Sequence, residues 1–381
     1  MRARDLFVVA APGLEAVVAA EIASILPTAE LQPAPGGVGL RAGDPELCLL
    51  NLRLRAASRV LARIAEVRAS SFSELHRRAA RLPWEEHLRP GTPVVIRATA
   101  KRSRLYHTGG IAERLVKGIH ERLGSEPPLL AETDAGPDAQ RIIARLLRDR
   151  LTLSVDASGE LLHRRGYRQA TAKAPLRENL AAGILLATLE EGDAVADPMC
   201  GSGTLGIEAA LLMSGAAPGR SRGFACERWP SLDAGMMEQA RSGLPTPVPP
   251  SAPIVSSDRD AGAIAATTSN AERAGVSPWL TITRADLAEA RAPAPRGLVV
   301  INPPYGVRIS QRRSLPGLYT QIGEVLRQRF AGPGMSWRLA LLAPDPSLAA
   351  ATGLALERQL QLSNGGIAVD LWVGPIARAS R

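Results

Sequence analysis

Two hydrophobic patterns alternate along the first 160 residues. Leu14, Val17, Val18, Ile22 and Ile25 recur at helical spacing and predict a helix over 13–26. Short apolar runs predict strands at 6–10, 38–41, 59–68 and 93–100, and two more within 141–155. Further helices are predicted at 71–82 and 109–123. Another helix is predicted to begin at Asp44, which would cap it. Helices and strands mixed in this way predict a small α+β region.

From residue 175 onward, buried strands and helices alternate more regularly. Asn364-Gly365-Gly366 separates the last two strand-like runs and is a hairpin signal. We therefore predict an α/β fold, a mostly parallel sheet closed by an antiparallel hairpin. Its strands are predicted at 194–197, 254–257, 280–283, 298–301, 338–343, 356–362 and 367–373, and its helices at 175–190, 204–212, 261–274 and 315–330.

A long Gly- and Pro-rich stretch, 215–252, separates the first two of these strands. Insertions of this length without regular structure are either functional or disordered. Both a lid and a disordered segment are therefore open interpretations.

Charge is distributed unevenly along the chain. The 381 residues carry a net charge of +9, and residues 51–104 alone contain 13 Lys and Arg against 4 Asp and Glu. Such a concentration favours a phosphate-bearing partner such as nucleic acid. The alternative is an arginine-rich face that is only solvated.

The basic loop 101–107 is the candidate contact within this region. Lys101, Arg102 and Arg104 would meet phosphates, and Tyr106 would stack on a base. Tyr106 could instead pack locally, and His107 fits a surface or capping role. Residues 1–160 offer no nucleophile, metal cluster or carboxylate pair, which indicates a binding module rather than a catalytic one.

Several classes of protein are disfavoured by composition. Three cysteines with no metal or disulfide spacing argue against a disulfide scaffold or an iron–sulfur cluster. No apolar run approaches the ~18 residues that a membrane span needs, and the N-terminus lacks a signal-peptide pattern. We expect a soluble, cytoplasmic protein without a metal.

The segment around Asp197 is the first candidate ligand site. Asp197 ends a predicted strand, and Gly201-x-Gly203-x-x-Gly206 leads into a helix, as in doubly wound nucleotide-binding folds. The glycine pattern alone is weak. A carboxylate beside the turn would repel a pyrophosphate but would accept hydrogen bonds from the ammonium group of a methionine-type ligand.

Acidic residues follow the next two strands as well. Asp258 is preferred for a ribose diol, with Asp260 as a helix cap. Asp286 would bind an adenine amino group, or else it is an ordinary loop acid.

The fourth strand runs into Asn302-Pro303-Pro304-Tyr305-Gly306. Proline cannot donate to a strand ladder, so the backbone turns outward there. An amide, a freed carbonyl and an aromatic ring at a strand tip suit a flat amino group.

These residues together resemble the class I S-adenosylmethionine-dependent methyltransferases. More narrowly, the chain resembles the THUMP-domain RNA guanine-N2 methyltransferases, and within them the 23S ribosomal RNA enzymes with a single methyltransferase domain. The resemblance is carried by His163-Arg164-Arg165-Gly166-Tyr167-Arg168, Asp197-Pro198-Met199-Cys200-Gly201-Ser202-Gly203-Thr204, Ser257-Asp258-Arg259-Asp260 and Asn302-Pro303-Pro304-Tyr305-Gly306.

The resemblance implies a ferredoxin-like domain (1–65), a THUMP RNA-binding domain (66–158) and a Rossmann-like methyltransferase domain (159–381) with a seven-stranded sheet. S-adenosylmethionine would be the cofactor, the protein a monomer and RNA its partner. The implied catalytic residues are Asn302, Pro303, Pro304 and Tyr305. The implied cofactor-binding residues are Asp197, Pro198, Cys200, Gly201, Ser202, Gly203, Thr204, Asp258, Asp286 and Asn302, and Arg164, Arg165 and Arg168 join the RNA-binding set.

The Asn-Pro-Pro-Tyr motif is shared by methyltransferases of DNA adenine, DNA cytosine and protein glutamine. It specifies a planar amino group and not guanine. The remaining alternatives are a transfer RNA guanine-N2 methyltransferase, a protein glutamine methyltransferase, or an RNA-binding protein with a degenerate methyltransferase domain.

Overall fold

The computed structural model describes residues 3–169, 176–305 and 314–377. The chain forms two units. The N-terminal unit contains Met1–Val9, Ile22–Leu162 and Gly219–Leu244, and the C-terminal unit contains Ala10–Glu21, His163–Pro218 and Pro245–Arg381. Among the described residues, no helix has the length and apolar character that a membrane crossing requires.

The N-terminal unit is built on a seven-stranded sheet in the order β2-β3-β1-β4-β7-β6-β5, in which β5 and β6 are parallel. Its strands are β1 (Arg4–Ala10), β2 (Leu31–Ala34), β3 (Gly37–Ala42), β4 (Ala57–Arg68), β5 (Val94–Lys101), β6 (Gln140–Leu147) and β7 (Arg150–Asp156). The helices of this stretch are α1 (Glu15–Ile25), α2 (Asp44–Arg53), α3 (Phe72–Ala79) and α4 (Thr108–Leu123).

Two local expectations for this region are corrected. Asp44 is not the cap of α2, because Gly43 holds that position and the Asp44 carboxylate pairs with Arg4. The periodicity also missed β2, an edge strand that contains Pro33. Proline is tolerated at a sheet edge, where one row of backbone groups needs no partner.

Most of the stretch 215–252 is ordered. Residues 219–244 belong to the N-terminal unit and include the helix α7 (Met236–Ser242). Trp229, in this stretch, is 2% exposed, and its indole N–H donates a hydrogen bond to Gln140 Oε1 at 2.8 Å. A buried tryptophan anchor supplies the order that the Gly and Pro content did not predict.

The C-terminal unit contains the predicted α/β fold. Its seven strands are ordered β10-β9-β8-β11-β12-β14-β13, parallel from β10 to β12, with β14 antiparallel to both of its neighbours. They are β8 (Ala194–Asp197), β9 (Ile254–Asp258), β10 (Leu280–Arg284), β11 (Arg296–Ile301), β12 (Ser336–Ala343), β13 (Glu357–Asn364) and β14 (Ile367–Pro375).

Helices pack on this sheet and enclose its core. They are α5 (Glu178–Thr188), α6 (Thr204–Met213), α8 (Ala261–Arg273), α9 (Leu315–Arg329) and α10 (Pro346–Ala351). Tyr319, Phe330 and Trp337 are buried in one cluster with the side chains of β11 and β12. Near-continuous apolar strands fit a parallel sheet that is covered on both faces.

Candidate functional site

Four predicted site residues lie along one edge of the C-terminal sheet. Asp258 and Asp197 end β9 and β8, Asn302 follows β11, and Asp286 lies two residues after β10. These strands are consecutive and parallel in the sheet. Because neighbouring strands are about 4.8 Å apart, their carboxyl ends form a row of side chains at the edge where open α/β sheets bind ligands.

The turn between β8 and α6 and the first turn of α6 each contain a glycine packed against a neighbouring element. Gly203 has φ +82°, and a Cβ there would lie 2.6 Å from Thr267 Cγ2. A Cβ at Gly206 would lie 2.2 Å from Ser256 Oγ. A side chain at Gly203 would therefore displace Thr267 of α8, and one at Gly206 would displace the Ser256 hydroxyl of β9.

Two side chains of α8 that the sequence analysis missed hold this turn. The Thr267 hydroxyl donates to the Gly201 carbonyl at 3.0 Å, and the Asn270 amide donates to the Ser202 carbonyl at 2.9 Å. Both residues are fully buried. The only signal in the sequence is a pair of polar residues three positions apart on one side of a helix, which is also compatible with an exposed face.

The remaining turn residues are placed together but turned inward. Cys200, Ser202 and Thr204 are less than a tenth exposed, and the Cys200 thiol lies 3.6 Å from the Thr267 hydroxyl. Burial raises the pKa of the Cys200 thiol, so it stays protonated. Pro198 and these three residues would therefore contact a ligand mainly through their backbone.

Asp197 is 1% exposed, and one of its oxygens accepts the Met199 N–H at 3.3 Å. Burial, with a smaller contribution from the Asp258 charge, raises the pKa of Asp197 to about 8. A buried carboxyl in this state gains most from a cationic ligand that stabilises its charged form. The site therefore fits a ligand with an ammonium group beside the glycine turn.

Asp258 closes the turn from the neighbouring strand. Its two oxygens accept the Gly201 N–H at 3.0 Å and the Asp260 N–H at 2.9 Å. Each carboxylate oxygen can accept more than one hydrogen bond, so capacity for a hydroxyl pair remains. Asp260 caps α8 through the N–H groups of Gly262 and Ala263, which confirms the capping role predicted for it.

Asp286 has a local role that the sequence analysis did not predict. Its side chain accepts the Ala288 N–H at 3.0 Å within a capping box with Glu289. Asp286 remains at the predicted sheet edge, and the cap fixes one of its two oxygens.

The Asn302 turn begins where the buried strand β11 ends. Pro303 is buried, Pro304 is exposed, and Asn302 and Tyr305 are half-buried. The Tyr305 hydroxyl donates a hydrogen bond to Asn302 Oδ1. Burial raises the pKa of Tyr305 to about 12, so the hydroxyl remains a donor near neutral pH. Gly306 lies outside the described residues.

The RNA contact predicted for Arg165 is wrong, and Arg168 has an ion-pair partner within the C-terminal unit. Arg165 is buried and pairs with Glu208 through two hydrogen bonds of 2.8 and 3.1 Å, and the Tyr167 hydroxyl joins them at 2.9 Å. Arg168 turns inward and pairs with Glu178 at 3.0 Å. Both arginines stabilise the interior of the C-terminal unit. Arg164 is exposed.

The basic loop lies on the surface of the N-terminal unit. Lys101, Arg102 and Arg104 are exposed, and Tyr106 is 81% exposed. His107 Nδ1 accepts the Gly110 N–H at 2.9 Å and caps α4, so its capping role is confirmed.

A mostly parallel seven-stranded sheet closed by an antiparallel hairpin, with a glycine turn after its first strand, defines a Rossmann-like class I methyltransferase fold. Residues 165–371 match the family described as RMKL-like, methyltransferase domain, and residues 5–61 match the RlmL ferredoxin-like domain. The chain belongs to the RMKL-like methyltransferase family.

Relatives and solved structures agree with this assignment. The chain is 36% identical to the ribosomal RNA large subunit methyltransferase K/L of Syntrophotalea carbinolica over 95% of its own length and 52% of that protein. It thus spans about half the length of the K/L relatives. It is 32% identical to a putative RNA methyltransferase of Synechocystis over 97% of its own length and 96% of that protein.

Two solved structures resemble the chain over its whole length. The putative methyltransferase SMU.472, complexed with SAH, has a TM-score of 0.86 and 27% identity, covering 100% of this chain and 99% of that one. A possible methylase from Clostridium difficile has a TM-score of 0.87 and 28% identity, covering 100% of both chains.

Proposed function

We propose that this chain transfers a methyl group from S-adenosylmethionine to the exocyclic N2 amine of a guanosine in RNA, with 23S ribosomal RNA as substrate. One observation carries the proposal. The glycine turn with its buried Asp197 follows β8, and the Asn302 turn follows β11, the adjacent strand of the same sheet. A cationic cofactor and a planar amine would therefore meet at one edge.

The cofactor, when bound, supplies an electrophilic methyl group on a sulfonium. Asp197 would accept hydrogen bonds from its ammonium group, and burial makes that interaction strong. Asp258 would bind the ribose hydroxyls with the acceptor capacity that its two backbone contacts leave. Asp286 would bind the adenine amino group with its second carboxylate oxygen.

Asn302 and Pro303 would bind the substrate amine. The lone pair of this amine is delocalised into the guanine ring, which makes it a poor nucleophile. If Asn302 Oδ1 and the Pro303 carbonyl each accept one N–H, the nitrogen becomes more pyramidal and directs its lone pair at the methyl group. Orientation of this kind is worth about 7–11 kcal/mol of the barrier. The base would be flipped out of the RNA and stacked on Tyr305.

RNA as the substrate is supported by the relatives' names and by an exposed face of the N-terminal sheet. Thr99 of β5 pairs in register with Arg145 of β6, and Leu147 of β6 pairs with Lys101 of β5 and with Arg150 of β7. Because paired residues, and residues two apart on one strand, point to the same side of a sheet, all five side chains share one face. The exposed basic residues on this face are Arg97, Lys101, Arg145 and Arg150, of which Arg150 pairs with Glu66 at 2.5 Å. Four cations on an open sheet suit a phosphate backbone.

The tip of the same sheet is held by hydrogen bonds between its two loops. Arg102, Arg148 and Asp149 have positive φ values of 51°, 52° and 62°. The Arg104 N–H donates to Asp149 Oδ1 at 2.7 Å, and the Asp149 N–H donates to Ser103 Oγ at 3.0 Å. Left-handed non-glycine residues cost about 1–3 kcal/mol each and persist where the surroundings hold them, often at functional sites. The tip would present Tyr106 and the loop arginines to RNA.

Chemical specificity is tested by mass spectrometry of RNA treated with the purified chain and labelled cofactor. N2-methylguanosine in 23S ribosomal RNA is expected. Label in transfer RNA would show that transfer RNA, and not ribosomal RNA, is the substrate. Label in methyladenosine or in protein glutamine would refute the proposal that the methylated group is a guanine in RNA. Asn302→Ala should abolish transfer while cofactor binding in calorimetry stays near normal, and Asp258→Ala should weaken cofactor binding.

The RNA surface is tested by the salt dependence of binding. The double variant Arg97→Glu with Arg145→Glu should weaken RNA binding. The slope of the logarithm of the association constant against log salt, which is negative, should become shallower by about 2, because two phosphate contacts are lost. Arg77→Glu with Arg81→Glu is the matched control, because both arginines are exposed in and just after α3. Equal slopes for the two double variants would contradict the proposed surface.

A further inference from the structure

An exposed arginine at the end of α8 is connected to the glycine turn, residues 200–203, by hydrogen bonds. Arg273 Nη2 donates to Asn270 Oδ1, and Arg273 Nε donates to the Tyr167 carbonyl at 2.8 Å. The Asn270 amide in turn donates to the Ser202 carbonyl at 2.9 Å. We propose that Arg273 is a positioning residue which orients the Asn270 amide and thereby holds the glycine turn in the conformation that binds the cofactor. This inference rests on the part of the proposed function in which the turn binds the cofactor.

The two neighbours of the Asn270 side chain determine its orientation. A guanidinium can only donate hydrogen bonds, and a backbone carbonyl can only accept them. The amide oxygen must therefore face Arg273, and the NH₂ group must face the Ser202 carbonyl. The opposite orientation would place two acceptors against each other at Ser202 and two donors against each other at Arg273. Asn270 is fully buried, where hydrogen bonds are stronger than in water.

The Tyr167 carbonyl gives Arg273 a fixed anchor. Tyr167 is 3% exposed, and its hydroxyl donates to Glu208 Oε1 of α6 at 2.9 Å. Since α6 begins at Thr204, directly after the glycine turn, the contacts form a closed ring. The ring runs from the turn through α6, Tyr167 and α8 back to the turn, and it restrains the two helices where they meet the turn.

The contacts with α8 also fix the direction of a backbone donor. Side chains of α8 donate to the carbonyls of Gly201 and Ser202. In a trans peptide the carbonyl and the following N–H point in opposite directions, so the N–H groups of Ser202 and Gly203 point away from α8. The Gly203 N–H is used within the turn, on the Cys200 carbonyl at 2.8 Å. The Ser202 N–H is therefore the donor that these contacts orient for a ligand, and orientation before binding reduces the ordering cost of the complex.

Arg273→Met removes the guanidinium and keeps an apolar side chain at an exposed position. The Kd for S-adenosylhomocysteine in calorimetry and the KM for S-adenosylmethionine should each rise about five- to tenfold, the factor that corresponds to about one net hydrogen bond. The KM for RNA, and kcat at saturating cofactor, should change less than about twofold, because only cofactor binding is affected. Arg273→Lys, whose ammonium can still donate to Asn270, should recover part of the affinity.

Arg329→Met is the matched control. Arg329 is also exposed, and it ends α9 of the same unit as Arg273 ends α8. Both variants lose a positive charge that stabilises a helix C-terminus, so a difference between them in cofactor affinity reports the hydrogen bonds of Arg273. Arg329→Met should bind S-adenosylhomocysteine like wild type, and equal affinities of the two variants would overturn the inference.

A double-mutant cycle with Asn270→Ala distinguishes positioning from a general loss of stability. In the Asn270→Ala background, Arg273→Met should raise the Kd by less than about twofold, because the amide that Arg273 orients is absent. Additive losses would overturn the inference. Wild-type affinity of Arg273→Met beside weak binding by Gly203→Ala would also overturn it and leave the proposed function intact. Normal binding by both variants would refute the glycine turn as the cofactor site of the proposed function as well.

Discussion

The indole N–H of Trp229 donates a hydrogen bond to the side-chain oxygen of Gln140 at 2.8 Å, across 89 positions of sequence. His87 meets the same indole edge-on, with ring centroids 4.7 Å apart, and the Arg4 guanidinium lies 5.2 Å from its centroid. A stretch inserted between β8 and β9 thereby becomes part of the core of the N-terminal unit.

Trp229→Ala should therefore destabilise the N-terminal unit by about 3–5 kcal/mol, the usual cost of removing a large buried aromatic side chain. Urea unfolding followed by circular dichroism measures the loss. Trp229→Phe keeps most of the apolar volume and should cost clearly less. An alanine variant as stable as wild type would mean that the insertion is a dispensable loop.

Arg165 and Glu208 form a buried pair whose members depend on each other. Arg165→Met should cost about 3–5 kcal/mol, because the Glu208 carboxylate is left buried without its cation. Arg165→Met with Glu208→Leu should recover most of that loss. Arg164→Met changes an exposed neighbour and should cost less than about 1 kcal/mol. If the double variant were less stable than Arg165→Met, the pair would not account for the loss.

Gly203→Ala should weaken cofactor binding at least tenfold, because the new Cβ would lie 2.6 Å from Thr267 Cγ2 and the backbone has φ +82°. Adding Thr267→Ser removes that methyl group, keeps the hydroxyl that holds Gly201, and should restore part of the affinity. Gly215→Ala is the control, since its φ is +72° with nothing within 4 Å of the added Cβ. Calorimetry with S-adenosylhomocysteine gives the affinities, and normal binding by Gly203→Ala would contradict the role of this turn.

Asp197 should make the stability of the ligand-free protein depend on pH. Its pKa in the folded state is raised to about 8 from an ordinary value of 3.8. The folded chain thus holds this proton more tightly than the unfolded chain does. The resulting stabilisation is complete below the ordinary pKa and is lost as the pH rises through about 8.

The free energy of unfolding should accordingly fall more steeply in wild type than in Asp197→Asn as the pH rises between the two pKa values, 3.8 and about 8. Saturating S-adenosylhomocysteine should reduce the loss in wild type, because its ammonium group stabilises the carboxylate. Asp197→Asn should bind it weakly. Parallel pH profiles for the two proteins would exclude an unusual Asp197.

The sequence by itself determined the positions of most strands and turns of the C-terminal sheet, because these depend on residues close together in the chain. Runs of apolar residues located the parallel strands. Asp197, Asp258 and Asn302 could be placed at strand ends because each ends or directly follows a predicted strand. The glycine turn after β8 could likewise be recognised from neighbouring residues alone, because its glycines lie close together in the sequence. The hairpin at Gly365-Gly366 follows from two residues that accept left-handed backbone.

Only the tertiary structure decided which distant side chains complete the site. Thr267 and Asn270 hold the glycine turn, and Glu208 withdraws Arg165 from solvent. A charged or amide side chain has the same sequence signature whether it meets water, RNA or a buried partner. Its role is set by long-range packing, which brings together residues that no local pattern relates.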